Sequence, residues 1–417
     1  MTDMDINKNR VAVVGGGAAG MMAAVFALRG GAEVKIFEPN KFLGKKLRIT
    51  GKGRCNVTND CEPQEFMQNV TRNGKFMYSS VYRLKPSDVK AFFEELGVPL
   101  KTERGRRVFP QSDRAADVSL ALEKEIKRLG GEVVSQRVSD IKTENGRVTA
   151  VVCRGSEYAC DSVIIATGGV SYPGTGSTGD GHKIAERLGI AVTELKPSLV
   201  PVVTKDDTAE MMGLTLKNVT LTVYRGEKKV YSEMGEMLFT HFGVSGPLVL
   251  SASAHMQTGS VTDYKMEIYL KPALSEAELD RRVLSDFEKY AARDFVNALG
   301  DLLPKNLIPA VISQSKIPER IKVSSITKEM RARLVSTLKA YTLKPVSFRP
   351  IDEAIITCGG VSVKEVDPKT MMSKKIDGLY FAGEVLDLDA YTGGYNLQIA
   401  WSTGALAGTC AAARDTQ

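Results

Sequence analysis

The 417-residue sequence is poor in the groups that build metal centres and disulfide frameworks. Its six cysteines, Cys55, Cys61, Cys153, Cys160, Cys358 and Cys410, are scattered and form no CxxC pair. That argues against a zinc site and against disulfide staples, and suits a reducing cytosol. Histidine is scarcer still: His182, His241 and His255 are the three present. Charge of one sign is also lacking, since 56 Lys and Arg against 49 Asp and Glu leave a net +7. Such an excess permits an anionic ligand or nucleic acid without demanding one. There is no basic tail with interleaved aromatics, no internal repeat and no low-complexity tract. One long uncharged run exists, the 18 residues Val11–Leu28, but three consecutive glycines in its first third would weaken any helix. It therefore makes a poor signal peptide or membrane span, and the expected address is the cytoplasm.

What is present is ordinary for a soluble globular protein: 43% hydrophobic and 25% charged residues allow a sizeable core. The length predicts two or three domains.

The apolar run reads best as strand, turn and helix. Residues 10–40 predict a strand Arg10–Val14, a turn Gly15–Gly17, a helix from Ala18 to about Arg29 and a strand Glu33–Phe37. Gly15, Gly17 and Gly20 fit GxGxxG: the first permits the turn, the second lets backbone approach a pyrophosphate, the third lets helix and strand pack closely. Phosphates would then meet free amides at the helix start, around Gly17, Ala18 and Ala19. Glu38 follows at the end of the second strand, where a carboxylate accepts from ribose hydroxyls and disfavours a 2′-phosphate. FAD and NAD both satisfy this pattern.

The far end of the chain separates them. Residues 377–413 hold a short strand Leu379–Ala382 ending in Gly383-Glu384, then Gly393-Gly394-Tyr395-Asn396, then an apolar helix from about Leu397 to Ala412. A second glycine-preceded helix start serves the longer cofactor, FAD, whose reduced ring is negative at its pyrimidine edge. Glu384 or Asp387 suits the ribityl hydroxyls. A third piece, the strand Val163–Ala166 running into Thr167-Gly168-Gly169 with a helix near Thr178, returns the chain to the same place.

The segments "VVGGGAAG", "KKLRITGKGRCNVTN", "GRRVFPQSDRAADV", "IIATGGVSYPGTGSTGDGH", "GEMLFTHFGVSGP" and "LYFAGEVLDLDAYTGGYNLQIAWSTG" lie between residues 11 and 404. Through them the chain resembles the YhiN/BaiN-like family of NAD(P)/FAD-dependent oxidoreductases, flavoproteins related to the fumarate reductase type. The resemblance implies that Thr50–Asn59 wraps the middle and flavin end of FAD, and that Val138 offers its backbone to the adenine. The residues agree: six cations and no acid lie between Lys41 and Arg54 (Lys41, Lys45, Lys46, Arg48, Lys52, Arg54). Lys46 and Arg54 suit a pyrophosphate or a flavin carbonyl, Gly51 and Gly53 free the backbone, and Thr50, Asn56 and Leu397 complete the expected contacts with Ala166, Thr167, Gly168, Gly394, Tyr395 and Asn396. Cys55 reads as a small side chain packed beside the ring rather than as a redox thiol.

The expected architecture is α/β: a Rossmann-like FAD-binding domain of the two-dinucleotide-binding type, residues 1–195 with 350–417, interrupted by an insert at 196–349. The insert shows period-two alternation over about 196–272 and 343–349 and helical spacing over about 273–342, and the family pattern implies a β-barrel with a helical subdomain that covers the flavin. Within the first part, one helix is expected with a cap at Ser87 and a stop at Gly97, another from near Ser112 to Gly130-Gly131, then a meander of strands Glu132–Val138, Arg147–Val152 and Glu157–Ala159.

Flavin chemistry needs positioning more than a nucleophile. His241, in the glycine-bracketed "LFTHFGVSGP", and Tyr391 and Tyr395 are the candidate acids or bases, while His182 and His255 read as structural. No metal is expected. The absence of a second GxGxxG leaves NAD(P)H a transient reductant at most. The expected function is oxidoreduction of a small or steroid-like substrate; the alternatives are an oxygen-using oxidase of amines or amino ketones, an RNA-modifying flavoprotein, and a non-catalytic flavin scaffold. Nucleic acid and membrane partners are not expected.

Overall fold

A computed structural model describes residues 8–413. Its contacts divide the chain into two compact units, one running through Ser198 and resuming at Ile351, the other Leu199–Pro350.

The first unit is built on a five-stranded parallel sheet: β1 (Arg10–Val14), β2 (Glu33–Phe37), β3 (Glu132–Val134), β4 (Ser162–Ile165) and β5 (Leu379–Phe381), in the order β5-β4-β1-β2-β3. Every pairing is parallel, with Val13 opposite both Ile36 and Ile164. Central strands of such a sheet are buried on both faces, which is why β1 and β4 read as continuous apolar runs. Two helices lie against each other beside it: α1 (Ala18–Arg29) and the 18-residue α3 (Tyr395–Ala412). They pack backbone on backbone. A Cβ on Gly404 would stand 2.4 Å from the Ala19 carbonyl oxygen, and one on Gly408 2.1 Å from that of Ala23. Small residues four apart on both helices make that approach possible. Between α1 and β3 runs α2 (Ala115–Arg128), whose buried Glu125 binds Arg29 of α1 and Arg128 of its own last turn.

Three local expectations need correction. The helix expected from Ser87 starts at Pro86, where the Asp88 carboxylate accepts from the Lys85 amide (2.9 Å) and Pro fills the first turn, whose amides need no intrahelical partner. α2 starts at Ala115, and Ser112 instead accepts from the Arg114 amide in the preceding turn (3.3 Å). The strand expected over Glu132–Val138 stops at Val134 and joins the parallel sheet, because it follows a crossover helix. The meander consists of Asp140–Glu144, Arg147–Cys153 and Ser156–Ala159.

The strand Val192–Ser198 pairs antiparallel with Ile356–Val361 within the first unit, so residues 196–198 belong there rather than to the insert. The second unit has seven antiparallel strands in the order 341–343, 264–269, 215–225, 228–240, 243–245, 202–204, 345–348. Its two edge strands are consecutive in the chain, separated by Lys344 alone, and the Lys344 carbonyl accepts from the Lys205 amide (2.8 Å) beside the opposite edge. The sheet must therefore curl until its edges meet, a barrel. Three helices, Glu276–Lys289, Ile308–Ser315 and Lys328–Lys339, share a core with it through Leu279, Val283, Val311 and Leu334. Helical structure ends at Lys339, since Tyr341 already begins an edge strand.

Among the described residues no helix is long and apolar enough to cross a membrane, and no cluster of three or more His, Cys, Asp or Glu could hold a metal ion.

Candidate functional site

The glycine turn between β1 and α1 is set by local bonds. The Gly15 amide donates to the Phe37 carbonyl (2.9 Å), and the Gly16 amide to Glu38 Oε2 (2.9 Å). Glu38 Oε1 accepts from the backbone and side chain of Asn40 (2.8 and 2.7 Å), and Asn40 also donates to the Thr175 carbonyl (3.1 Å). The acid at the end of β2 is thus held at the glycine turn. No side chain caps α1, whose first residues are Ala18 and Ala19, and a Cβ on Gly17 would meet nothing within 4 Å. On the other side, the Ala166 amide donates to the Val14 carbonyl (2.8 Å), placing Ala166 and Thr167 against Gly15, with Gly168 next in the chain. Thr167 Oγ1 is buried without a partner. Val138 is buried in the segment after β3, beside Arg137, which reaches Thr178 Oγ1 (3.0 Å).

The other end is assembled from segments more than 300 residues apart. Thr50–Gly53 makes one turn in which Gly51 and Lys52 take left-handed angles, and Thr50 Oγ1 bonds the Leu47 carbonyl (2.7 Å). The next residues lock onto the start of α3. Trp401 Nε1 donates to the Val57 carbonyl (2.8 Å), Thr58 Oγ1 to Gln398 Oε1 (2.6 Å), and Asn59 Nδ2 to the Gly393 carbonyl (3.0 Å). Gly394, at φ 101°, sits so close that a Cβ there would be 2.3 Å from the Thr58 carbonyl carbon. Asn396 folds back, donating to the Ala390 and Tyr391 carbonyls (2.7 and 3.2 Å) and accepting from the Ala390 amide (3.0 Å). Asn56 Oδ1 lies buried without a partner, and no side chain caps α3.

Between the ends stands a polar bridge. Lys46 Nζ donates to Glu384 Oε2 (2.7 Å) and Ser171 Oγ (2.8 Å), and Glu384 Oε1 accepts from Ser171 Oγ (3.0 Å) and the Thr357 amide (2.9 Å). Burial opposes ionisation of Glu384, but the Lys46 ammonium and these hydrogen bonds prevail and hold its pKa below the usual value. Gly383 is fixed by Thr403 Oγ1 (2.9 Å), and His182 Nε2 meets the Val385 carbonyl (3.1 Å). Burial lowers the His182 pKa, so the ring is neutral and donates.

Several expected ligand groups are occupied by other side chains. Arg54 is gripped by Glu103 and Asp113 and lies over the Phe109 ring, 4.1 Å from its centroid. Arg48 pairs with Glu123 (3.0 Å), and Lys46 with Glu384. Half of the six-cation cluster is therefore paired with acids from distant positions, and among the described residues Lys41, Lys45 and Lys52 meet no acid. Asp387 is held by Arg72 through both oxygens. The Asn396 side chain is likewise spent on the loop. Cys55 is buried, and burial pushes its thiol up to about 12, which removes the thiolate at neutral pH.

Tyr395 opens α3, nearly buried against Phe66, and Leu397, two residues on, lies half-buried. The Tyr391 amide bonds the Asn69 carbonyl (3.0 Å). His241 belongs to the second unit, exposed in the turn after the strand 228–240 and against Phe242. Sequence reading missed Asn40, Ser171, Thr357, Gln398 and Trp401. Gln398, Ser402 and Thr403 on an otherwise apolar helix were the available signal.

The family description "HI0933-like protein Rossmann domain" matches residues 9–410. A 3-dehydro-bile acid delta(4,6)-reductase of Clostridium scindens is 32% identical over 97% of this chain and 100% of its own. A ribosomal RNA dihydrouridine synthase of Haemophilus influenzae is 31% identical over 94% of this chain and 95% of its own. Among solved structures, a 3-ketosteroid delta1-dehydrogenase from Sterolibacterium denitrificans covers 97% of this chain and 99% of its own at TM-score 0.53 and 12% identity, a likeness of fold.

Proposed function

This chain belongs to the HI0933-like Rossmann-domain family and is an FAD-dependent oxidoreductase; from that premise we propose that it reduces a carbon–carbon double bond conjugated to a carbonyl, with electrons from NADH or NADPH. One observation carries the reading. The two full-length relatives named above differ in substrate, one a steroid-like bile acid and the other a uridine in RNA, yet each name describes saturation of such a bond. A small, steroid-like enone is the first substrate we assign.

The residues present fit FAD. Thr167 Oγ1 and Asn56 Oδ1 are buried polar atoms without protein partners, both helix starts lack side-chain caps, and Gly17 leaves open space. Bound there, FAD supplies two-electron chemistry by hydride transfer at its isoalloxazine ring. The amides at Gly17, Ala18 and Ala19, with Gly15 and Gly20 shaping the turn, would hold the pyrophosphate, and Glu38 a ribose. Val138 would present backbone to the adenine. Glu384, poised by Lys46, would take a ribityl hydroxyl, with Thr50, Gly51, Gly53, Cys55 and Gly168 lining the cofactor. The start of α3, at Gly394, Tyr395 and Leu397, would favour the negative charge of the reduced ring through its dipole. Tyr391 and Tyr395 remain the proposed proton donors in this unit, and His241 in the other. A thiol route is not used, because Cys55 keeps its proton at neutral pH.

A second reading has its own support: two relatives, 31% and 29% identical, carry the name ribosomal RNA dihydrouridine synthase. There the conjugated bond would be that of a uracil ring. Anaerobic stopped-flow bleaching of the bound flavin, with NADH and NADPH in parallel, tests the electron source. Rapid bleaching by one of them is expected. Bleaching by neither would overturn the nicotinamide link and favour an oxidase fed by its own substrate.

A further inference from the structure

Two carboxyl groups lie two residues apart in the segment that leads to α3, and the fold treats them oppositely. Asp387 receives both arms of Arg72, and its carbonyl accepts from Asn73 (2.7 Å). Asp389 is 1% exposed and has a single hydrogen-bonded oxygen, Oδ1, which accepts from Thr71 Oγ1. Its Oδ2 is buried with no partner, and so is the nearby Ser198 Oγ. The groups acting on Asp389 come from every strand around it: Thr71 and Arg72 from residues 70–72, Ser198 from 192–198, Cys358 from 356–361, and Asp387 from its own segment. One guanidinium faces two acids, and geometry gives it to Asp387.

An ionised carboxylate left buried with one unmatched oxygen is costly, and a proton on that oxygen removes the cost. Burial, ahead of the opposing pull of the Thr71 hydrogen bond, the nearby Ser198 hydroxyl and the charge of Arg72, raises the Asp389 pKa. The position is also suggestive: Ala390, the next residue, is the one clamped on both sides by Asn396, and Tyr391 follows.

We propose that Asp389 is the proton store of the redox site, a neutral carboxylic acid loaded at Oδ2 and kept neutral because Asp387 holds Arg72. The inference rests on the reductase reading above. In each turnover the hydride, with its electron pair, forms one new C–H bond as the π bond breaks. The proton leaving Asp389 Oδ2, passed on by the group that touches the substrate, completes the second C–H bond. The carboxylate that remains is reprotonated from water. Asp389 is thus a proton-holding residue that acts through another.

Infrared spectroscopy of the FAD-loaded protein tests the first half. A carboxylic acid C=O band is expected at neutral pH and should vanish in Asp389→Asn. It should also vanish in Asp387→Asn, where Arg72 is released to Asp389 and ionises it although Asp389 is still present. No such band in the wild type, or a band that survives Asp389→Asn, would overturn the proposal. The second half is read from reoxidation of the pre-reduced protein by an enone across pH. The wild-type rate should hold through neutrality and fall at alkaline pH, and Asp389→Asn should lose that limb and run about tenfold slower. An unchanged profile in Asp389→Asn would defeat the store. A band without any enone turnover in the wild type would instead sink the reductase reading.

Discussion

The two ends of the proposed cofactor site are made by opposite means. The glycine-turn end comes mainly from one stretch, β1–α1–β2 with Glu38, where Gly15 and Gly16 bond Phe37 and Glu38 some two dozen residues on, with flanks supplied by Ala166 and Thr175. The other end exists only when Val57–Asn59 locks onto Gly393–Trp401, across more than 330 residues. At the first end glycine leaves room for a ligand; at the second it leaves room for the protein itself. Gly17 faces open space, while Gly394 is pressed on the Thr58 carbonyl. The same residue type, in two similar-looking helix starts, therefore does two different jobs.

The sharpest way to break that contrast is Gly394→Ala. A Cβ 2.3 Å from a carbonyl carbon, at φ 101°, should cost about 3 kcal/mol or more and lower the thermal midpoint markedly. A normal midpoint would show that the interlock is loose. Next in size is Glu125, behind the glycine-turn end. Arg128 foremost, with Arg29, overcomes burial and lowers its carboxyl to about 2. A depressed carboxyl pKa gives stability that is present above the ordinary carboxylate range and lost as pH falls from there through about 2. Glu125→Gln should therefore cost about 2 kcal/mol at neutral pH and flatten the acid limb of a pH-dependent unfolding series. An unaltered limb would contradict the assignment.

Gly17→Ala should reverse the pattern of Gly394→Ala. With nothing within 4 Å and an ordinary φ of −79°, the fold should tolerate it, while FAD affinity falls about tenfold, roughly 1.4 kcal/mol, because the methyl enters the proposed pyrophosphate approach. Equal losses of stability and affinity would refute the division between the two glycines. The smallest effect is expected from Arg54→Ala. Its guanidinium is already committed to Glu103 and Asp113, so FAD titration should give the wild-type affinity. A large fall would restore the direct phosphate contact that the sequence suggested.

The same contrast explains what could be read in advance. The residues of β1, α1 and β2 match expectation to the residue, since period, glycine spacing and the acid at position 38 are all local signals. Cys55 as a buried packing residue was also legible, because no second thiol lies close in sequence. The partner of Asp387 was not legible: nothing in sequence ties it to Arg72, 315 positions away. Arg54 and Lys46 were read as cations for the cofactor, and their acid partners Glu103, Asp113 and Glu384 were not legible because these reach them only after folding. Thr357, whose amide completes the Glu384 bridge, sits on a strand with no local site signature. Local chemistry announces a ligand, whereas the partners that consume or poise it are set by topology.

The most direct test of the proposed activity is a single turnover. The protein, photoreduced without oxygen, is mixed with a ketosteroid whose double bond is conjugated to its carbonyl, and in parallel with an isomer whose double bond is isolated. We expect the flavin absorbance to return rapidly with the first, with one saturated product molecule per flavin, and to stay bleached with the second. Equal reoxidation by both, or by neither while oxygen restores the colour, would contradict a reductase of conjugated double bonds of this class.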